Sequence, residues 1–158
     1  MLARTFETLR SLFGDLPEER TPEPSAEEQA RIKRLPHTEL FLLAALEGFG
    51  LDPATLTREQ LLAEVERAAR SFRACERHDP FVYRLGEQRR LPVFTNEERM
   101  HRFTARFCKE SGRIYPFQHF SAPGSALTRW LVHCDAVVVD DASPDELVVA
   151  GPALEPLR

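Results

Sequence analysis

Near residue 80 the apolar side chains change from the spacing of a helix to the spacing of a strand, and that switch restricts the fold more than any other feature of the chain. Upstream, Thr57-Arg-Glu-Gln60 opens a helix in which Leu61, Leu62, Val65, Ala68, Ala69 and Phe72 recur at helical steps and are expected to face inward. Downstream, Phe81, Tyr83 and Leu85 alternate, Gly86-Glu-Gln88 supplies a turn, and Leu91-Pro-Val-Phe-Thr95 resumes an extended run, which predicts a β-hairpin. Thr95-Asn-Glu-Glu98 then reads as a capping box for a helix with Met100, Phe103 and Phe107 on one face. A second strand region is expected over residues 113–120, followed by a break at Ala122-Pro-Gly-Ser125. That break starts a helix with Leu127, Trp130, Leu131 and Cys134 on its inner stripe. Ala136-Val-Val-Val139 has the continuous apolar character of a buried strand, and residues 146–149 form a last one. The expected order from Phe81 is β, β, α, β, α, β, β, and the fold class is α+β: a helical N-terminal half, then a small mixed sheet with helices packed on it.

The first half reads as helical. Ser25-Ala-Glu-Glu28 is a capping box, and Pro36-His-Thr-Glu39 restarts a helix through Leu46 that ends at Gly48 to Gly50. Before it, Leu2, Phe6, Leu9, Phe13 and Leu16 lie along one stripe at coiled-coil spacing, and prolines 17, 22 and 24 make the following segment an extended linker. The expected organisation is an amphipathic arm over residues 1–16, a linker over 17–25, a helical segment over 26–79 and an α+β domain over 80–158, with 26–158 one folding unit. The arm either folds back on the core or docks on another chain.

Composition narrows the function classes. The 158 residues carry a net charge of −4, so no overall field draws a polyanion, and nucleic acid is not an expected partner. Three cysteines cannot all pair within the chain and lack the spacing of a disulfide scaffold, which fits a reducing compartment. The longest apolar run, Leu40-Phe-Leu-Leu-Ala-Ala-Leu46, is far short of the roughly 20 residues of a membrane span. With Arg4, Glu7 and Arg10 interrupting the apolar N-terminal residues, no secretory signal is read there and the expected location is the cytoplasm.

At the hairpin-to-helix junction, Leu91-Pro-Val-Phe-Thr-Asn-Glu-Glu-Arg-Met100 resembles the most recognisable stretch of the SseB-type (enhanced serine sensitivity) family of bacterial proteins. Gly124-Ser-Ala-Leu127 and Ala136-Val-Val-Val-Asp-Asp141 follow in the family's order, although the turn here is Asp140-Asp141-Ala-Ser-Pro144 rather than the family's frequent Asn-Pro. The likeness covers residues 80–157. It implies a cytoplasmic α+β domain used alone or beside other domains, and no catalytic residue or cofactor to carry over.

Four constellations remain for chemistry. Asp140, Asp141, Asp145 and Glu146 gather carboxylates beyond a buried strand, where they could meet a basic partner or a divalent cation, or simply form a solvated turn. Cys75-Glu-Arg-His78 has a ligand spacing, and with Cys108 and His119 it would complete four zinc ligands. His133-Cys134-Asp135 offers nucleophile, base and orienter in name only, since neighbours on a helix point about 100° apart. Residues 84–113 hold eight basic side chains against four acidic ones, with Arg99, Arg102 and Arg106 at helical spacing.

The reading that follows is a non-enzymatic, regulatory or immunity-type protein-interaction domain without a cofactor. Its candidate contact residues are Leu2, Phe6, Leu9 and Phe13 of the arm and Asp140, Asp141, Asp145 and Glu146 of the acidic turn. Its partner is another protein, or a second copy met through the N-terminal helix, and not a membrane. The rivals are a small metal-dependent or Cys/His hydrolase and a weak nucleic-acid binder.

Overall fold

Ser25 starts the first helix among the described residues. Its hydroxyl accepts the Glu28 N–H at 3.2 Å while the Glu28 carboxylate accepts the Ser25 N–H at 2.7 Å, so the expected capping box closes in both directions. The helix, α1, runs Ala26–Arg34 with acids in its first turn and bases in its last, the arrangement that complements a helix dipole. It buries Ile32 and gives way to a 3-10 turn, Leu35–His37, at Pro36. The computed structural model of the chain describes residues 23–44, 50–74 and 79–158. The arm with Leu2, Phe6, Leu9 and Phe13, and the pair Cys75 and His78, lie outside them.

The helix expected to restart at Pro36 is overturned: Glu39–Ala44 is a strand, β1. Leu40 and Leu42 enter the larger core cluster, whereas Leu43 enters the smaller one with Phe41 packed against it. A short apolar run buried on both faces has no period that separates strand from helix, so its pairing partners decide the matter. The other elements are α2 (Arg58–Ala74), β2 (Tyr83–Leu85), β3 (Gln88–Phe94), α3 (Glu97–Ser111), β4 (Gln118–Pro123), β5 (Ala136–Val139) and β6 (Leu147–Ala150). The sheet order is β4-β1-β3-β5-β6, with β2 paired to the first residues of β3. β1 is thus an interior strand, and residues 26–79 and 80–158 share one sheet.

All pairings are antiparallel except β3 with β5, where Leu91 lies opposite Val137 and Val93 opposite Val139. On one face Leu91, Val93, Val137, Val139, Leu147 and Val149 join Leu40 and Leu42 beneath Ile32, Leu154 and Leu157. On the other face α3 lays Met100 and Phe103 over Leu43 and Phe94. A sheet sandwiched in this way keeps β5 and residues 91–94 of β3 apolar and leaves polar chemistry to their ends.

Two further expectations change. The segment after β4 is not an α-helix but two 3-10 turns, Gly124–Arg129 and Leu131–His133. The Thr128 hydroxyl shares its proton between the carbonyls of Ser125 and Leu157, and the first of these is an acceptor a regular helix would offer to the Arg129 N–H. Leu127, Leu131 and Cys134 are nevertheless buried as expected, and Trp130 is half-buried. α2 opens at Thr57 as expected, with Thr57 and Gln60 capping each other reciprocally, but Leu62 is exposed because the inward stripe passes through Leu61, Val65 and Ala68. Among the described residues no helix is long and apolar enough to cross a membrane.

Candidate functional site

The parallel strands β3 and β5 end side by side, and a cluster of hydrogen-bonded polar residues gathers there. Asp140 follows β5 directly, is 1% exposed, and takes a left-handed backbone conformation with φ 52°. Its carboxylate accepts the Thr95 N–H and the Thr95 hydroxyl, each at 2.8 Å, and a guanidinium N–H of Arg99 at 2.5 Å. The other arm of Arg99 donates to Asp145 at 2.6 Å. Thr95 is therefore an anchor for Asp140 rather than a helix cap; the cap of α3 is Asn96, whose side chain accepts the Arg99 N–H at 2.9 Å.

Those bonds sort the acidic turn. Asp140 is sealed from solvent with its lone pairs occupied, so it belongs to the framework and is withdrawn from the candidate contact residues. Asp145 is exposed on its Arg99 bridge, and its backbone carbonyl accepts from Arg31 of α1 at 2.7 Å. Ala142 also has a positive φ, 66°, which is costly for a residue with a Cβ; its N–H donates to the Glu146 carboxylate at 2.9 Å, pinning the turn.

Asp141 and Glu146 face a groove of about 440 Å³ between the β2–β3 hairpin, α3 and the acidic turn. Tyr83, Phe103 and Phe107 line it with ring centroids 5.7 to 5.9 Å apart. Arg84, Arg90 and Arg106 stand on its rim with Glu110. The Tyr83 hydroxyl donates to Asp141, and burial together with that bond raises the Tyr83 phenol well above its ordinary range. Burial, then the charge of Glu146, raises the Asp141 carboxyl, against the lowering effect of the Tyr83 bond. Tyr83 read in the sequence only as one member of an alternating strand, and nothing local there announces a partner 58 residues away.

The arginine stripe is already engaged. Arg102 pairs with Glu98 and Arg106 with Glu110, each one helical turn away, while Arg99 is held by Asp140 and Asp145. A phosphate backbone would have to compete with all four carboxylates. The His133-Cys134-Asp135 triplet does not converge either. Cys134 is buried, and burial followed by the charge of Asp135 raises its thiol, the opposite of an activated nucleophile. Asp135 instead grips Arg89, accepting its backbone N–H at 2.8 Å and its guanidinium at 3.0 and 3.2 Å.

That clasp has a pH signature. The Arg89 bonds lower the Asp135 carboxyl to about 2, below its ordinary 3.8. A depressed carboxylate contributes stability that is fully present above the unfolded value and lost as pH falls through the folded one. Thermal melts of the wild type and Asp135→Asn should therefore differ at neutral pH and converge between about pH 4 and about pH 2. A gap unchanged across that window would remove the clasp from the stability of the fold.

Cys108, half-buried, and His119, exposed, line a second groove of about 380 Å³ together with His101, whose ring centroid is 6.1 Å from that of His119. The other two members of the expected quartet, Cys75 and His78, fall outside the described residues. Among the described residues no three His, Cys, Asp or Glu side chains are grouped so as to hold a metal ion. Comparison with protein-family models, with curated proteins and with solved structures finds no match to the chain.

Proposed function

We propose that the chain is a non-enzymatic protein-interaction domain of SseB type, regulatory or immunity-like, acting in the cytoplasm and receiving a segment of another protein in the groove beside Tyr83. The observation that carries this reading is the groove's construction: an aromatic floor of Tyr83, Phe103 and Phe107 under a rim bearing both signs of charge. Aromatic area gives affinity when water is displaced from it, and mixed charges at the edge select the partner's orientation. The strained Ala142 and the bond from Tyr83 to Asp141 support it, because both hold the acidic side of the rim in one position. In this reading Asp141, Asp145 and Glu146 meet the partner, and Leu2, Phe6, Leu9 and Phe13 of the arm add specificity or mediate self-association.

The test is co-purification of the tagged full chain from its native cells, beside Phe107→Ala and Arg106→Glu. A partner retained by the wild type and lost from both variants is the expected result, with wild-type melting kept by Arg106→Glu and lowered in Phe107→Ala, whose ring packs on Phe81, Tyr83 and Phe103. Equal retention by both variants would defeat the assignment of the groove, and turnover of a small molecule by the purified chain would defeat the non-enzymatic reading. In the rival reading Cys75, His78, Cys108 and His119 hold zinc for hydrolysis, and the shared groove of Cys108 and His119 favours it. Stoichiometric zinc abolished by Cys75→Ser would establish the metal site, and hydrolysis lost together with the zinc would establish that reading.

A further inference from the structure

We infer that His101 and His119 form a two-histidine chelate for a late first-row divalent metal ion of the zinc, copper and nickel class, on the groove between α3 and the segment leading into β4. The two elements bring the rings together for separate reasons. In α3, Met100 is buried against the sheet, and the next residue on a helix points about 100° away, so His101 projects along the flank rather than into the core. Thr104, Ala105 and Cys108 continue that flank at steps of three and four, and all four residues line the groove. In β4, His119 lies opposite Leu43 of β1, and partners across a ladder share a face of the sheet. Leu43 packs with Met100 and Phe103, so His119 stands on the face that α3 covers. The rings meet there with centroids 6.1 Å apart and planes at 88°.

Burial does not account for the meeting, because both residues are exposed and their contact removes little surface from water. Chelation is what the geometry offers. A zinc ion holds imidazole nitrogens at about 2.0 to 2.1 Å, and two rings on one tetrahedral ion then have centroids about 5 Å apart. Closing the remaining gap takes rotation about the side-chain bonds, which exposed residues are free to make. The backbones need not move: one histidine is fixed by the helix and the other by its register on β1, so little ordering is left to oppose binding. Glu97 stands one helical turn before His101 on the same flank and adds negative potential for a cation, while Arg102 is engaged by Glu98. With two protein ligands the remaining positions fall to water, as in sites that keep an open position rather than in closed structural ones. Imidazole also sets the ion class, because it suits zinc, copper and nickel, whereas calcium and magnesium take oxygen ligands. The pair requires neither Cys75 nor His78, which separates it from the four-ligand reading, and it stands or falls independently of the Tyr83 groove.

The test is titration of the full chain with zinc chloride alone, followed through the histidine ring signals by NMR, beside His101→Gln, His119→Gln and Cys75→Ser. The His101 and His119 signals are expected to move together and to saturate at one zinc per chain, with Cys75→Ser leaving the titration unchanged. Each histidine variant should weaken binding at least about tenfold, because a single imidazole loses the second, pre-positioned attachment. Both side chains are exposed, so the variants should melt with the wild type, and the paired ring signals of the wild type are a readout that holds even if a variant fails to fold. Magnesium chloride at the same concentrations should move neither ring. Rings that do not respond to millimolar zinc overturn the inference, as do rings that titrate independently, each unaffected by loss of the other, or a response to magnesium equal to that to zinc. Loss of both shifts in Cys75→Ser would assign the metal to the four-ligand set instead.

Discussion

Gly124→Ala should destabilise the protein by about 3 kcal/mol or more, at the upper end of what overpacking costs. A Cβ placed on Gly124 would lie 1.7 Å from the Leu35 carbonyl oxygen and 2.5 Å from its carbon. Both are backbone atoms, so no rotamer change can make room. The same contact positions the Gly124 N–H on Thr38 and so holds the end of β4 against the start of β1. Gly112 is a matched control: it has φ 66° at the end of α3 but nothing within 4 Å of an added Cβ. Its replacement by alanine meets only the left-handed backbone penalty, about 1 to 2 kcal/mol. Urea denaturation of the two variants should separate them clearly, with the Gly124 variant the weaker. Equal midpoints would mean that the close approach of the two backbones is not required.

The second large effect belongs to Asp140. Asp140→Ala should cost about 2 to 3 kcal/mol, less than breaking a fully buried ion pair because Arg99 is partly exposed and keeps its bridge to Asp145. The loss strands the Thr95 N–H, the Thr95 hydroxyl and one arm of the Arg99 guanidinium, all of which point at the vacated carboxylate. Alanine is also a poorer occupant of a positive φ than aspartate. Asp140→Asn keeps an acceptor and tolerates the backbone, so a smaller loss is expected. Adding Arg99→Met to Asp140→Ala should recover part of the deficit by removing the stranded cation, and a double-mutant cycle measures that recovery. A loss below about 1 kcal/mol for Asp140→Ala would show that the carboxylate does not anchor the turn.

These two residues mark the boundary of what was legible. Gly124 read as a chain break and Asp140 as one carboxylate among four, because neither the Leu35 backbone nor Thr95 is near in sequence. Thr95 itself satisfied the pattern of a capping box, yet Asn96 holds the cap and Thr95 turns to a carboxylate 45 residues away. The run at Leu40 had the composition of a buried helix as much as of a strand, and only the ladders with β3 and β4 separate the two. The groove beside Tyr83 draws on three regions of the chain, so no single stretch displayed it.

Signals confined to a few consecutive residues were sufficient for the start of α1 at Ser25, the cap of α2 at Thr57 and Gln60, the β2–β3 hairpin and the buried valine strand β5. Each rests on hydrogen bonds or side-chain alternation within one turn or one strand, which the order of residues specifies directly. The tertiary structure alone decided that β1 is a strand inside the sheet, that Asp140 is sealed while Asp141 faces a groove, and that β4 pairs with β1. Those outcomes depend on which distant segment arrives alongside, and burial, ion pairing and strand register acquire values only once it has.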